Sequence, residues 1–236
     1  VKHGLAGAAT AFTALVPIAA HAQAIACRAP DHLPTAQPEP PGKPRIVPVG
    51  GYTLVLSWSP EYCRFRQDSK RDRLQCGGQA ARFGFVLHGL WPDGRGDIWP
   101  EYCRAVGPVP EPVLRATLCT MPSVDLQQHE WAKHGSCAFP NPTAYFRAAR
   151  TLYAAIRHPD MVSLSRNPEF RVASFAAAFA ARNGGLTPGM MRARLDSKGW
   201  LEEVMLCLDG HFRPTDCRDD RADRDLRPIR IWRAAR

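Results

Sequence analysis

The chain has 236 residues, 45% hydrophobic and 22% charged, which excludes wholesale disorder; no apolar run nears about 18 residues, which excludes a multi-span membrane protein. Its length fits one domain with appendages and is enough to bury a core without a structural metal. The 31 Lys and Arg outnumber the 22 Asp and Glu, a net +9 that attracts polyanions, and eight cysteines without a CxxC pair point to disulfides in an oxidising compartment.

Val1-Lys2-His3 precede a weakly apolar run from Leu5 to Ala20, then the small-x-small site Ala20-His21-Ala22. This is the grammar of a secretory signal peptide over residues 1–22, with cleavage expected after Ala22. From Arg28 to Pro48 the chain carries Pro30, Pro34, Pro38, Pro40, Pro41, Pro44 and Pro48. Such density blocks helix and sheet and predicts an extended linker over 23–49, with the folded domain over 50–236. Tyr52–Trp58 is rich in β-formers and reads as a strand, and Phe83–His88 as a more buried one. Residues 111–119 and 126–134 have helical character. Thr143–Arg157 is the best helix: Tyr145, Ala149, Leu152, Tyr153 and Ile156 recur at three and four residues, between Pro142 and Pro159. Ser174–Arg182 is Ala-rich and helical. Glu202–Leu208 reads as a strand, Asp209-Gly210 as a hairpin-type turn into His211-Phe212-Arg213, and Pro228–Trp232 as a last strand. Strands and helices mix without regular βαβ alternation, so the class is α+β.

Two segments carry chemistry. In Phe85-Val86-Leu87-His88-Gly89-Leu90-Trp91-Pro92-Asp93-Gly94, a His ends an apolar strand and a Trp stands beside a turn. Strand ends and the loops after them are where sites are usually mounted. In His129-Glu130-Trp131-Ala132-Lys133-His134-Gly135-Ser136-Cys137, four ionisable residues fall within six positions. On a helix, Glu130 and His134 share a face, Lys133 neighbours Glu130, and His129 lies four before Lys133. The zinc-protease pattern HExxH fails here. Position four after His129 is Lys133, and His134 at five stands about 140° around the helix.

Several His with a Glu and a Lys suit cleavage of RNA by its own 2′-hydroxyl. One imidazole removes the 2′-OH proton and another protonates the leaving 5′-oxygen, since their pKa lies near working pH. A Lys and further donors offset charge gathering on phosphorus. A Glu tunes the imidazoles, and a Trp can stack on a base. DNA lacks the internal nucleophile, so its cleavage is not expected.

These two segments resemble the two active-site signatures of the ribonuclease T2 family of secreted acid ribonucleases, approximately [F/V]-[I/L/V]-H-G-L-W-P and H-E-W-x-K-H-G-x-C. Both occur in the family's order, and the resemblance extends over most of residues 50–217, including Ser57-Trp58-Ser59-Pro60 with nearby Cys63. It implies a central antiparallel sheet flanked by helices and stapled by disulfides. It also implies endonucleolytic cleavage of single-stranded RNA through 2′,3′-cyclic phosphates to 3′-phosphates, without a metal or other cofactor. On that resemblance His134 is the general base and His88 the general acid. Glu130 and Lys133 stabilise the pentacoordinate phosphate and His129 helps bind it. Trp91 forms part of a base pocket, and Asp93 stands where some relatives read a purine, which implies a mild adenine preference. Many relatives carry Gln where Ser57 stands, at the second base, so broad specificity is expected.

The cysteines fit the same picture. Cys63 is expected to pair with Cys76 and Cys207 with Cys217. Cys137 is expected to reach Cys103 or Cys119, and Cys27 to take the one left. A monomer that does not span a membrane, secreted or periplasmic, is implied. His32, His158 and His211 read as structural or solvated, and the run Arg218–Arg227, alternating in sign, as a solvated loop. The rivals are a disulfide-stapled binding protein without turnover and a zinc hydrolase.

Overall fold

In a computed structural model, the structure describes residues 24–40, 42–78, 81–218 and 226–233. The expected signal segment and most of the 218–227 charge run lie outside the described residues. The strands are β1 (Ala24–Cys27), β2 (Gly51–Trp58), β3 (Ala81–Phe83), β4 (Phe85–Asp93), β5 (Met191–Leu195) and β6 (Leu201–Asp209). The main sheet is antiparallel in the order β4-β2-β6-β5, and β1 pairs with β3 apart from it. Helices α1 (Ser59–Tyr62) and α2 (Arg73–Cys76) are single turns. They are followed by α3 (Glu111–Thr117), α4 (Val124–Glu130), the turn α5 (Ser136–Ala138), α6 (Pro142–Ala155), the short α7 (Met161–Leu164) and α8 (Val172–Ala180). The α+β class with its central antiparallel sheet is as expected.

Alternation in β2 sends Tyr52, Leu54, Leu56 and Trp58 into the core. They meet Tyr145, Phe146, Ala149 and Tyr153 of α6 and Phe175 and Phe179 of α8, as the three-and-four spacing of α6 predicts. β4 is an edge strand, and its outer backbone groups are covered rather than left open. Leu87 N–H donates to Thr120 O at 2.9 Å, Leu90 N–H to the Tyr145 hydroxyl at 3.2 Å, and the Tyr153 hydroxyl donates to Phe85 O at 2.9 Å.

Register carries the feature that matters for function. Val55 pairs with Gly89 and Leu56 with Leu87, so His88 is the extra residue of a β-bulge. Before the bulge Phe85 and Leu87 enter the core; after it the phase flips and Leu90 does. His88 and Trp91, three apart, therefore leave the core from the same side, which an unbroken strand forbids. His88 was expected at a strand end; it lies mid-strand, because the bulge supplies the irregularity a loop would have supplied.

Four disulfides join Cys27–Cys119, Cys63–Cys76, Cys103–Cys137 and Cys207–Cys217, in line with the expected pairs and resolving the open choice. The expected strand Pro228–Trp232 forms no ladder. Pro228 has no N–H to give, and the segment makes single bridges, to Arg171 and to Trp200 at the tip of the β5–β6 hairpin. After Asp209-Gly210 the chain likewise returns through one bridge, Leu208 to Pro214. The Pro-rich stretch is extended and also anchored. Cys27 fixes its start, Ala36 is buried, and Arg45 exchanges backbone hydrogen bonds with Glu101 at 2.9 and 3.0 Å.

Candidate active site

α4 starts at Ser123, whose hydroxyl accepts from Leu126 N–H at 3.2 Å. Regular helix ends at Glu130, and Trp131–Gly135 form a π-helical turn, a distortion frequent at functional sites. Gly135 is required there: a Cβ would stand 2.6 Å from Trp131 Cε3 and 2.8 Å from Tyr145 Cγ. The turn is clamped from outside by Cys103–Cys137 and by Tyr102 N–H, which donates to Lys133 O at 2.8 Å with Tyr102 at φ 49°.

Trp91 joins the two signatures. Its indole N–H donates to Glu130 Oε2 at 2.8 Å, and its ring stacks on His134 with centroids 5.1 Å apart. His88 meets the same indole edge-on at 5.3 Å. Gly89 makes room for this contact, since a Cβ there would lie 1.9 Å from Glu130 Oε2. The structure thus brings His88, Trp91, Glu130 and His134 together.

The two imidazoles sit in opposite environments. His88 Nδ1 lies 2.5 Å from Glu203 Oε1, and Nε2 lies 3.5 Å from Glu130 Oε1. Burial works against a charged His88, but the hydrogen bond to Glu203 and the charges of Glu130 and Glu203 outweigh it and raise its pKa, with Arg194 subtracting. His134 is buried, its Nδ1 without a hydrogen-bond partner among the described residues. Burial, then the charges of Lys133, His129 and His88, push its pKa down to about 2. Glu130 is fully enclosed, and burial raises its pKa against the pull of His88, His129, the Trp91 hydrogen bond and Lys133.

His129 Nδ1 lies 2.9 and 3.0 Å from the two oxygens of Glu39, and the Tyr102 hydroxyl donates to Glu39 Oε1 at 2.9 Å. Lys133 Nζ stands 3.5 Å from Glu101 Oε1. Beside His88 and His129 opens a cleft of about 560 Å³, whose walls include Gln37, Glu39, Arg71, Arg194 and Glu203. Of the expected site residues His88 and His129 line this cleft; Trp91, Glu130, Lys133 and His134 are not in its lining, and neither is Asp93. Its carboxylate accepts from Thr53 Oγ1 at 2.7 Å and faces Arg218 and Arg192, with burial raising its pKa against all three.

Glu39 and Glu203 were not singled out in the sequence. Glu203 carried no local signal: it stands opposite Ser57, on the face of β6 away from the core residues Val204 and Leu206, and is buried there by its neighbours across the sheet. Glu39, among prolines, had none either.

Two signatures far apart in the chain are thus joined through one indole on a sheet stapled to its helices. The Ribonuclease T2 family profile matches residues 49–217, and the chain belongs to that family. A "Probable ribonuclease" of Haemophilus influenzae is 32% identical over 75% of this chain and 64% of its own length. The chain thus spans just under two thirds of that relative. A ribonuclease of Aeromonas hydrophila is 32% identical over 74% of this chain and 79% of its own. The solved structure of RNase NT in complex with 5′-AMP shares the fold, with TM-score 0.55 and 21% identity over 78% of this chain and 98% of its own. Both relatives are named as ribonucleases, and the chain shares their family.

Proposed function

We propose that this chain cuts single-stranded RNA by transesterification to a 2′,3′-cyclic phosphate, then hydrolyses that ring to a 3′-phosphate, without a metal. The observation that carries the reading is the contrast between two imidazoles flanking one indole, His88 against carboxylates and His134 among cations. A neutral His134 takes the 2′-hydroxyl proton as that oxygen attacks phosphorus. The bond from phosphorus to the 5′-oxygen breaks, and His88 delivers a proton from Nε2 to the departing oxygen. In the second step water replaces the 5′-oxygen. His88, now neutral at Nε2, removes the water proton, and protonated His134 returns one to the 2′-oxygen. An arriving phosphate anion offsets the cations around His134 and so strengthens it as a base.

Lys133 supplies positive charge to the phosphate, His129 a ring nitrogen, and Glu130 holds Trp91 in place and stands beside His88 Nε2. Trp91, bound on both sides by catalytic groups, orders them and offers its remaining edge to a base. Broad base specificity follows from Ser57 and from Asp93 being engaged by Thr53. Four disulfides favour an oxidising compartment, and we read the protein as a secreted or periplasmic monomer.

The test is incubation with a short single-stranded RNA and a matched DNA, at about pH 5 and about pH 7.5, with EDTA present. Cyclic ends first, 3′-phosphates later and intact DNA are expected. Abolition by EDTA would install a metal hydrolase instead, and binding without cleavage a binding protein.

A further inference from the structure

Glu203 lies outside both signatures, 115 residues from His88 in sequence, yet its buried carboxylate is the partner nearest the imidazole. Several elements converge on this pair. From β2, the Ser57 hydroxyl donates to Glu203 Oε1 at 3.2 Å and stands 3.4 Å from His88 Nδ1. From β5, Arg194 Nε reaches Glu203 Oε2 at 3.2 Å. From α4, Glu130 approaches Nε2, and the π-turn contributes His134, whose pKa the charge of His88 helps to lower. Ser57 and Arg194 each stand directly opposite Glu203 in the ladder, so the sheet register itself builds the arrangement.

An ionised carboxylate can only accept, so at 2.5 Å the hydrogen lies on His88 Nδ1. The second ring nitrogen is then the one that can exchange a proton with anything in the cleft. We propose that Glu203 is a positioning residue for His88, fixing the ring by Nδ1 so that Nε2 alone carries the proton to the leaving 5′-oxygen. Arg194 opposes it, drawing on the other oxygen of the same carboxylate. One carboxyl group is thus set between the imidazole that it favours in the charged form and a guanidinium that weakens this effect. The proposal rests on the reading of His88 as general acid.

The experiment compares wild type, Glu203→Gln and Arg194→Ala on a single dinucleoside phosphate. It follows kcat against pH, together with NMR titration of the His88 ring protons. Glu203→Gln is expected to lower kcat about 10-fold near neutral pH with little change in KM. It should also move both the alkaline limb and the His88 titration to lower pH. Arg194→Ala, a half-exposed change on the outer strand, is expected to move both to higher pH. A role confined to folding would lower stability or kcat and leave the limb in place, so profiles that superimpose on wild type overturn the proposal. If Glu203→Gln does not fold, the upward shift of the limb and of the His88 titration in Arg194→Ala carries the test, and their staying in place overturns the proposal. Intact RNA with wild type, while the NMR shifts still occur, would remove the general-acid reading and keep the coupling of His88 to Glu203.

Discussion

Trp91 and Glu130 are joined by one hydrogen bond of 2.8 Å, from an indole N–H to a carboxyl group with almost no contact with water. The same ring stacks on His134, so a single side chain sets the distance between a carboxyl and an imidazole from the same helix. Trp91→Phe keeps an aromatic face and removes the donor. We expect kcat on RNA to fall about 10- to 100-fold with a smaller change in KM. Steady-state kinetics on a defined oligonucleotide check it; an unchanged kcat would reduce Trp91 to packing.

Glu39 holds His129 from 90 residues away. Glu39→Ala frees that ring, and KM is expected to rise about 10-fold while the alkaline limb of kcat stays in place. Titration calorimetry with a 3′-mononucleotide reads the same loss directly. A lower KM would instead show that the carboxylate competes with the phosphate for His129.

His158 gives the fold an acid-sensitive point. Its ring packs 4.7 Å from Phe85 and 5.8 Å from Phe179, and neither buried ring nitrogen has a hydrogen-bond partner among the described residues. Burial lowers its pKa from 6.5 to about 4. The unfolded chain takes up the proton as pH falls below about 6.5, while the folded chain resists until about 4, so stability declines across that window. The loss is on the order of 3 kcal/mol. Urea unfolding at both ends of the window should show a flatter pH dependence for His158→Phe than for wild type, whatever the variant's absolute stability. Parallel slopes would mean that the folded protein protonates this ring freely.

Asp93 is engaged by Thr53 and stands apart from the cleft. Relative rates across a dinucleotide panel should therefore be the same for wild type and Asp93→Asn. A selective loss on adenine-containing substrates would show that this carboxylate reaches the base after all.

What could be read in advance follows distance along the chain. Glu130, Lys133 and His134 lie within five residues, so helical spacing alone gathers them, and His88 with Trp91 needs only one strand. Glu203 and Glu39 join the site through sheet register and an anchored strap, which no local pattern encodes. The π-turn and the β-bulge were also hidden, since each is a one-residue change of phase that the tight contacts of Gly135 and Gly89 permit. β5 escaped notice although Met191, Ala193 and Leu195 alternate with Arg192 and Arg194, because five residues give too short a run to stand out. Pro228–Trp232 misled for the opposite reason: its composition is that of a strand, and its backbone bonds are spent at the tip of the β5–β6 hairpin.

The strap has a consequence for where this enzyme's boundaries fall. The family profile's match starts at residue 49, yet Gln37 and Glu39 form part of the cleft wall. The segment that bears them is tied at Cys119 behind and at Glu101 ahead. The profile match therefore marks out a smaller unit than the one that walls the cleft. A fragment trimmed to the matched region would keep every residue of both signatures and lose the group that orients His129, together with one wall of the cleft.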